Sequence, residues 1–366
     1  MRIIISKKDF LASVKNIFDL SKKLNKGVLL AVANGSMSVI GFNEDIIEKL
    51  AFSDITIEEE GSVVVSFDFF SIVKSIAVDK EDAITLYTEN SDICILYNSS
   101  VTKSPIKSIT EWKQALVATS SYASNPPILK LDVNPLDLFT MYSAASFATT
   151  STDYRNSLTG VLLQTGGTFL RLLSGDGYRV AFTTLQLPNP VAAYRAVVPK
   201  KLFLEAKKYY KKGLKTITLS LSITQLSFTV DKTTIAGKLI EDPYPDYATN
   251  LPQPAANPIT INADELRKQA KTIDTIKPTF LIVSVDSNTL TISATSQNGE
   301  YKETVNCLYS GQPIEFKIDT KHLLDYLSTE PVGNIIIHTS TPDKPIMFYT
   351  IIPDTIQYTY TTASVK

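Results

Sequence analysis

The sequence predicts an α+β protein in which one supersecondary unit recurs three times. Two observations carry that reading. An amphipathic helix pattern followed by an apolar strand occurs near the start, in the middle and in the last third of the chain. Each occurrence is followed by a short β-rich run that leads straight into a second helix pattern and then into alternating strands. Two short helices cannot cover the faces of six or more strands. Each repeat is therefore expected to gather its two helices on one face of curved antiparallel sheets.

The elements follow in order. The first helix pattern spans Ser6 to Leu24, with Phe10, Leu11, Val14, Ile17, Phe18 and Leu24 on one face. Ser6 with Asp9 three residues on resembles a capping box. A strand pattern from Gly27 to Val39 is interrupted by Asn34-Gly35, a hairpin signal because both residues tolerate positive φ. Val63 to Ser66 then leads into a helix from Phe67 to Lys74. The middle repeat opens at Asn134, where Pro135 suits the first helical position because its missing N–H costs nothing there. A strand from Gly160 to Arg171 follows. Val197 to Lys200 then leads into a helix from Lys201 to Lys208, and Ile217 to Leu221 alternates as a strand. The last repeat starts with Asn262 and Glu265 in capping spacing, followed by a strand pattern from Phe280 to Leu290. Phe316 to Asp319 leads into a helix from Thr320 to Leu327, with a strand from Ile335 to Thr339 after it.

Clusters of Pro, Ser and Asn at 118–127 and 251–258 mark the expected boundaries. They divide the chain into domains 1–122, 123–252 and 253–366. A chain of 366 residues can bury a core in each.

Composition narrows the function classes. Hydrophobic content of 44% and charged content of 20% are those of an ordinary globular protein. The formal charge is −1, so any nucleic-acid role must rest on local basic surfaces. Cys94 and Cys307 sit far apart in apolar runs and read as buried free thiols, which fits a reducing compartment. No apolar run approaches the ~20 residues of a membrane span, and the N-terminus turns basic too soon for a signal peptide. A cytoplasmic location is expected.

Catalytic signatures are missing from the sequence. Neither a G-x-x-x-x-G-K-[ST] nor a G-x-G-x-x-G loop occurs, and no G-x-S-x-G elbow. His322 and His338 are the only histidines, and neither has a Cys or a paired carboxylate at metal-ligand spacing. Asp242 and Asp246 lie in a proline-rich stretch that reads as a turn. No cofactor and no metal are expected. Three similar repeats without visible catalytic residues point to architecture as the function. The alternative from another class is an enzyme of repeated α+β domains, for instance a nucleotide-processing one.

Four motifs then carry a family resemblance: Leu158-Thr159-Gly160-Val161, Ser174-Gly175-Asp176-Gly177-Tyr178-Arg179-Val180-Ala181, Val198-Pro199-Lys200-Lys201 and Tyr244-Pro245-Asp246-Tyr247. In this order, inside a three-fold repeat, they resemble the bacterial DNA sliding clamps, the β subunits of DNA polymerase III. The sequence departs from that family at Gly175, at Tyr178, at Ala248-Thr249 and at its C-terminus, Tyr358 to Lys366. These departures suit a divergent clamp, such as one of phage or plasmid lineage or a paralogue serving another polymerase.

The resemblance implies a ring. A domain of ~120 residues is about 35 Å across, and six such discs enclose a hole about one disc wide, enough for duplex DNA. Two chains would close head to tail as a homodimer, serving a DNA polymerase and a clamp loader. Candidates for the DNA-facing surface are Lys22, Lys23, Lys74, Arg155, Asn156, Lys200, Lys201 and Arg267, with Lys207, Lys208, Lys268 and Lys271 beside them. The resemblance also implies a pocket for partner peptides. Its expected walls are Leu158, Gly175, Gly177, Tyr178, Arg179, Val180, Pro245 and Tyr247, and the C-terminal run, including Tyr358, Tyr360 and Thr362, is its expected rim.

Overall fold

The computed structural model describes residues 1–76, 83–119, 126–151, 155–339, 341, 344–352 and 355–365. Strand runs into helix six times, as the repeat requires. Arg2–Ser6 leads into α1 (Lys7–Ser21), and Gly61–Val65 leads into α2 (Phe67–Ser75). An additional helix, α3, spans Ile109–Thr119. Leu129–Val133 then leads into α4 (Pro135–Ser146), and Arg179–Pro199 into α5 (Lys200–Lys207). Ile259–Asn262 leads into α6 (Ala263–Ile276), and Ile314–Asp319 into α7 (Thr320–Leu327).

The local signals act as their chemistry predicts. Ser6 Oγ accepts the Asp9 amide at 3.3 Å, and Asn262 Oδ1 accepts those of Asp264 and Glu265 at 2.9 and 3.4 Å. Each bond satisfies an amide that the first helical turn leaves without a partner. The first helix ends at Ser21, earlier than its apolar pattern suggests. A 3-10 turn over Lys22–Leu24 and a left-handed Asn25 stop it. In the hairpin, Asn34 and Gly35 hold φ of 51° and 72°, and Ala33 pairs with Ser36. Two successive left-handed residues match the right-handed twist of the strands.

The chain forms two compact units: Met1–Pro135 with Lys201–Leu239, and Leu136–Lys200 with Ile240–Lys366. Among the described residues the first unit holds one antiparallel sheet of 13 strands. It joins the first and middle stretches of the sequence where Thr233–Lys238 pairs with Ile46–Phe52. One face of its N-terminal part packs Val28, Leu30, Val32 and Val39 against Phe10, Val14, Ile17 and Phe18 of α1 and Phe69 of α2. Phe18 stacks on Phe70 at 4.9 Å, fixing α1 to α2. The alternate strand residues Leu29, Ile47 and Val64 face the other way, where Trp112 of α3 covers them. The period of two thus puts two helices on one face, as expected, and an unanticipated third on the other.

The second unit contains a six-stranded and a four-stranded antiparallel sheet among its described residues. In the first of these, the long hairpin of Gly160–Gly175 and Arg179–Pro199 pairs with the C-terminal strand Ile356–Thr362. That strand continues to Ile346–Ile352, Asn334–His338 and Ile259–Asn262. Tyr326 of α7 packs on Phe348, Tyr358 and Tyr360, with ring centroids 5.0 to 5.5 Å apart. Cys94 and Cys307 are buried free thiols. No described helix is long and apolar enough to cross a membrane.

Candidate functional site

A cleft of about 280 Å³ opens in the second unit at the end of the long hairpin. The hairpin turn is set by Asp176, whose Oδ1 accepts the amides of Tyr178 and Arg179 at 3.0 and 3.1 Å. Gly177 holds φ of 97°, which a side chain would strain. Tyr178 is left 73% exposed at the tip. Arg179 turns inward and is 7% exposed. Its Nε donates to Asp176 Oδ2 at 2.9 Å, its Nη1 to Asp325 Oδ2 at 2.7 Å, and its guanidinium lies over the Phe147 ring at 5.4 Å. Two carboxylates therefore neutralise Arg179 and tie the turn to α7.

The floor of the cleft is apolar. Leu158, Leu162, Leu173, Val197 and Tyr244 form a buried cluster, with Val180, Phe182, Ile240 and Tyr247 packed against it. The Tyr247 hydroxyl donates to Gln164 Oε1 at 2.7 Å and accepts from Arg171 Nη1 at 3.3 Å, fixing that ring in the wall. Burial raises the pKa of the Tyr244 phenol, which keeps it neutral. An apolar floor, a fixed aromatic wall and one exposed aromatic at the lip suit a short peptide with bulky apolar side chains.

Leu158, Gly175, Gly177, Tyr178, Arg179, Val180, Pro245 and Tyr247 all line this one cleft. The expected rim needs correction. Tyr358, Tyr360 and Thr362 are fully buried, while Thr361 and Ala363 reach the cleft. Strand alternation is the reason: even-numbered residues of Ile356–Thr362 face the core and odd-numbered ones the opposite side. The His322 ring confirms the direction of Thr362, with Nδ1 2.8 Å from its hydroxyl. Burial lowers the pKa of His322. Tyr244, Asp246, Leu251 and Pro345 also line the cleft and were not anticipated. The adjoining Pro245-Asp246-Tyr247 motif was the available signal for the first two. Leu251 and Pro345 have no local signature.

The basic candidates occupy several settings. Lys22 and Lys23 are exposed on the 3-10 turn after α1, and Lys74 is exposed in the last turn of α2. Lys200 is half-buried, donating to Thr149 Oγ1 at 2.7 Å, and Lys201 pairs with Asp45 at 3.0 Å. Lys207 is exposed on α5, while Lys208 just beyond the helix pairs with Glu205. On α6, Arg267 pairs with Asp264 and Lys268 with Glu265. The side chain of Lys271 lies outside the described residues. Arg155 lines the cleft itself, and Asn156 is exposed beside it.

Known proteins resemble this chain in sequence and in fold. Residues 133–246 match the family described as the central domain of the DNA polymerase III beta subunit. Solved structures of sliding clamps superpose on the whole chain. That of Pseudomonas aeruginosa gives a TM-score of 0.86 at 20% identity, covering 100% of both chains. The beta subunit of the DNA polymerase of Streptococcus pyogenes gives 0.86 at 15% identity, again covering both chains completely. The chain has the bacterial sliding-clamp fold. Among curated relatives, the beta sliding clamp of Vibrio cholerae is 25% identical over 234 residues, which are 63% of this chain and 64% of that protein. The chain thus spans just under two thirds of that relative in the match. The beta sliding clamp of Escherichia coli is 22% identical over 317 residues, 84% of this chain and 83% of that protein. The matched segment of this chain contains the hairpin and most of the cleft floor.

Proposed function

We propose that this chain is a DNA sliding clamp that tethers a polymerase to duplex DNA for processive synthesis. Its three repeats are read as clamp domains at 1–122, 123–252 and 253–366. Two copies would close head to tail into a homodimeric ring around the duplex, opened and placed by a clamp loader. In this reading the protein is a processivity factor with no catalytic residues of its own, working in the cytoplasm. The observation that carries the proposal is the cleft: eight residues named by the family motifs converge on one apolar site, seven of them in the segment matched by the clamp family's central domain. A shallow apolar groove holds a short linear peptide with modest, exchangeable affinity, which suits a platform that several enzymes use in turn.

Topology provides the test. The protein, loaded onto closed circular DNA, is expected to stay bound through gel filtration and to be lost when the circle is linearised. In solution it is expected at twice its chain mass. Retention that is indifferent to linearisation would make it an ordinary DNA binder and end the clamp reading.

A further inference from the structure

We propose that Glu48 is protonated at neutral pH beside the Glu205 carboxylate, and that raising the pH toward mildly alkaline values loosens α5 from the strand Ile46–Phe52. Both carboxyls belong to the first unit, and neither takes part in the cleft. Glu48 is fully buried and Glu205 is 8% exposed. The hydroxyl of Tyr209, just past α5, donates to Glu48 Oε2 at 2.8 Å. No donor reaches Glu48 Oε1. As a carboxylate, Glu48 would leave that oxygen buried and unsatisfied, next to a second carboxylate. A proton on Oε1 makes it a donor toward Glu205 and removes one of the two like charges. One hydrogen thereby satisfies an orphaned oxygen and relieves a repulsion.

The surroundings favour a neutral Glu48 over two ionised carboxyls. Lys208 Nζ pairs with Glu205 Oε1, supplying one positive charge for the two carboxyls. Tyr209 adds no further negative charge, because burial and the two carboxyls push its phenol far up and keep it a neutral donor. On the neighbouring strands, Gly41 and Ile235 stand opposite Glu48 and carry no charge. The pair Lys201–Asp45 is largely exposed, with side chains 75% and 50% accessible, and screens the site little.

The pH dependence has a definite sign. Burial, and then the charge of Glu205, raise the Glu48 pKa from 4.5 to about 8. The folded state then binds more protons than the open state between those values. Stability of this seam must fall as pH rises through that window and level off above it.

The experiment compares the parent chain with Glu48→Gln, which keeps a donor toward Glu205 and cannot ionise. Infrared spectra of the parent at neutral pH are expected to show a protonated-carboxyl band that disappears in mildly alkaline buffer and is missing in the variant. Amide-exchange protection over 201–209 in the parent is expected to fall by up to tenfold per pH unit across the window, the limit for one proton. In E48Q that dependence should flatten. A parent spectrum without the band at neutral pH would overturn the proposal, even if the variant failed to fold. So would an E48Q chain that kept the parent's pH-dependent protection.

Discussion

Tyr178 and Arg179 are neighbours in the chain with opposite physical situations. The turn projects Tyr178 into solvent, where it contributes little to the fold, while Arg179 is buried between two carboxylates. Truncation should separate their roles. Tyr178→Ala is expected to leave the melting temperature unchanged and to weaken a bound polymerase-tail peptide at least ~10-fold, the effect of losing an exposed aromatic anchor. Isothermal titration beside a thermal melt measures both. Arg179→Ala is expected to destabilise the second unit by about 2–3 kcal/mol, below the ~3–5 kcal/mol of a fully buried pair because Asp325 stays partly solvated. Denaturant unfolding reads this directly. The place of Arg179 in the cleft was legible from its motif. Its service as a strut was not, because Asp325 is 146 residues away in sequence.

The helices and strands show how far local sequence reaches. Helix starts at Ser6 and Asn262 were legible because a cap is made within three residues of the helix it serves, and the start at Pro135 because proline suits the first helical position. The C-terminal run was expected at the rim of the pocket, yet its tyrosines are buried in a strand. Shifting a strand's phase by one residue exchanges its faces. The run Tyr358-Thr359-Tyr360-Thr361 did hold the answer, since its bulky aromatics alternate with threonine and belong inside. Helix α3 gave less warning. Its value lies in covering Leu29, Ile47 and Val64, residues brought beneath it only by the folded sheet. Trp112 makes that contact, with its ring 5.2 Å from Phe42 and its indole N–H donating to the Gly27 carbonyl at 3.1 Å. Trp112→Ala should therefore cost about 3–5 kcal/mol, the range for emptying a large buried aromatic site. Chemical denaturation should show it as a lower midpoint with an unchanged slope.

A chain of net charge −1 is poorly suited to holding DNA by charge alone, and several of its basic candidates are already paired within the protein. Enclosure requires no such grip. Each phosphate that a protein neutralises adds affinity but also makes binding steeply dependent on salt, because condensed counterions are released. A protein that made six to ten such contacts would lose roughly 10³–10⁵ in affinity between about 50 and 200 mM salt. A closed ring must open or reach a DNA end to leave, and neither step is governed by phosphate contacts. Retention of the loaded protein on closed circles is therefore expected to change less than about tenfold over that salt range, while its association with linear fragments stays weak throughout. Exposed Lys22, Lys23, Lys74 and Lys207 would act during loading, when the ring is open and charge can guide the duplex. Replacing Lys22 and Lys23 by Glu should slow loading and steepen its salt dependence while leaving the lifetime of already loaded protein unchanged. A lifetime on closed circles that fell with salt as steeply as loading did would mean that charge, and not enclosure, holds this protein to DNA.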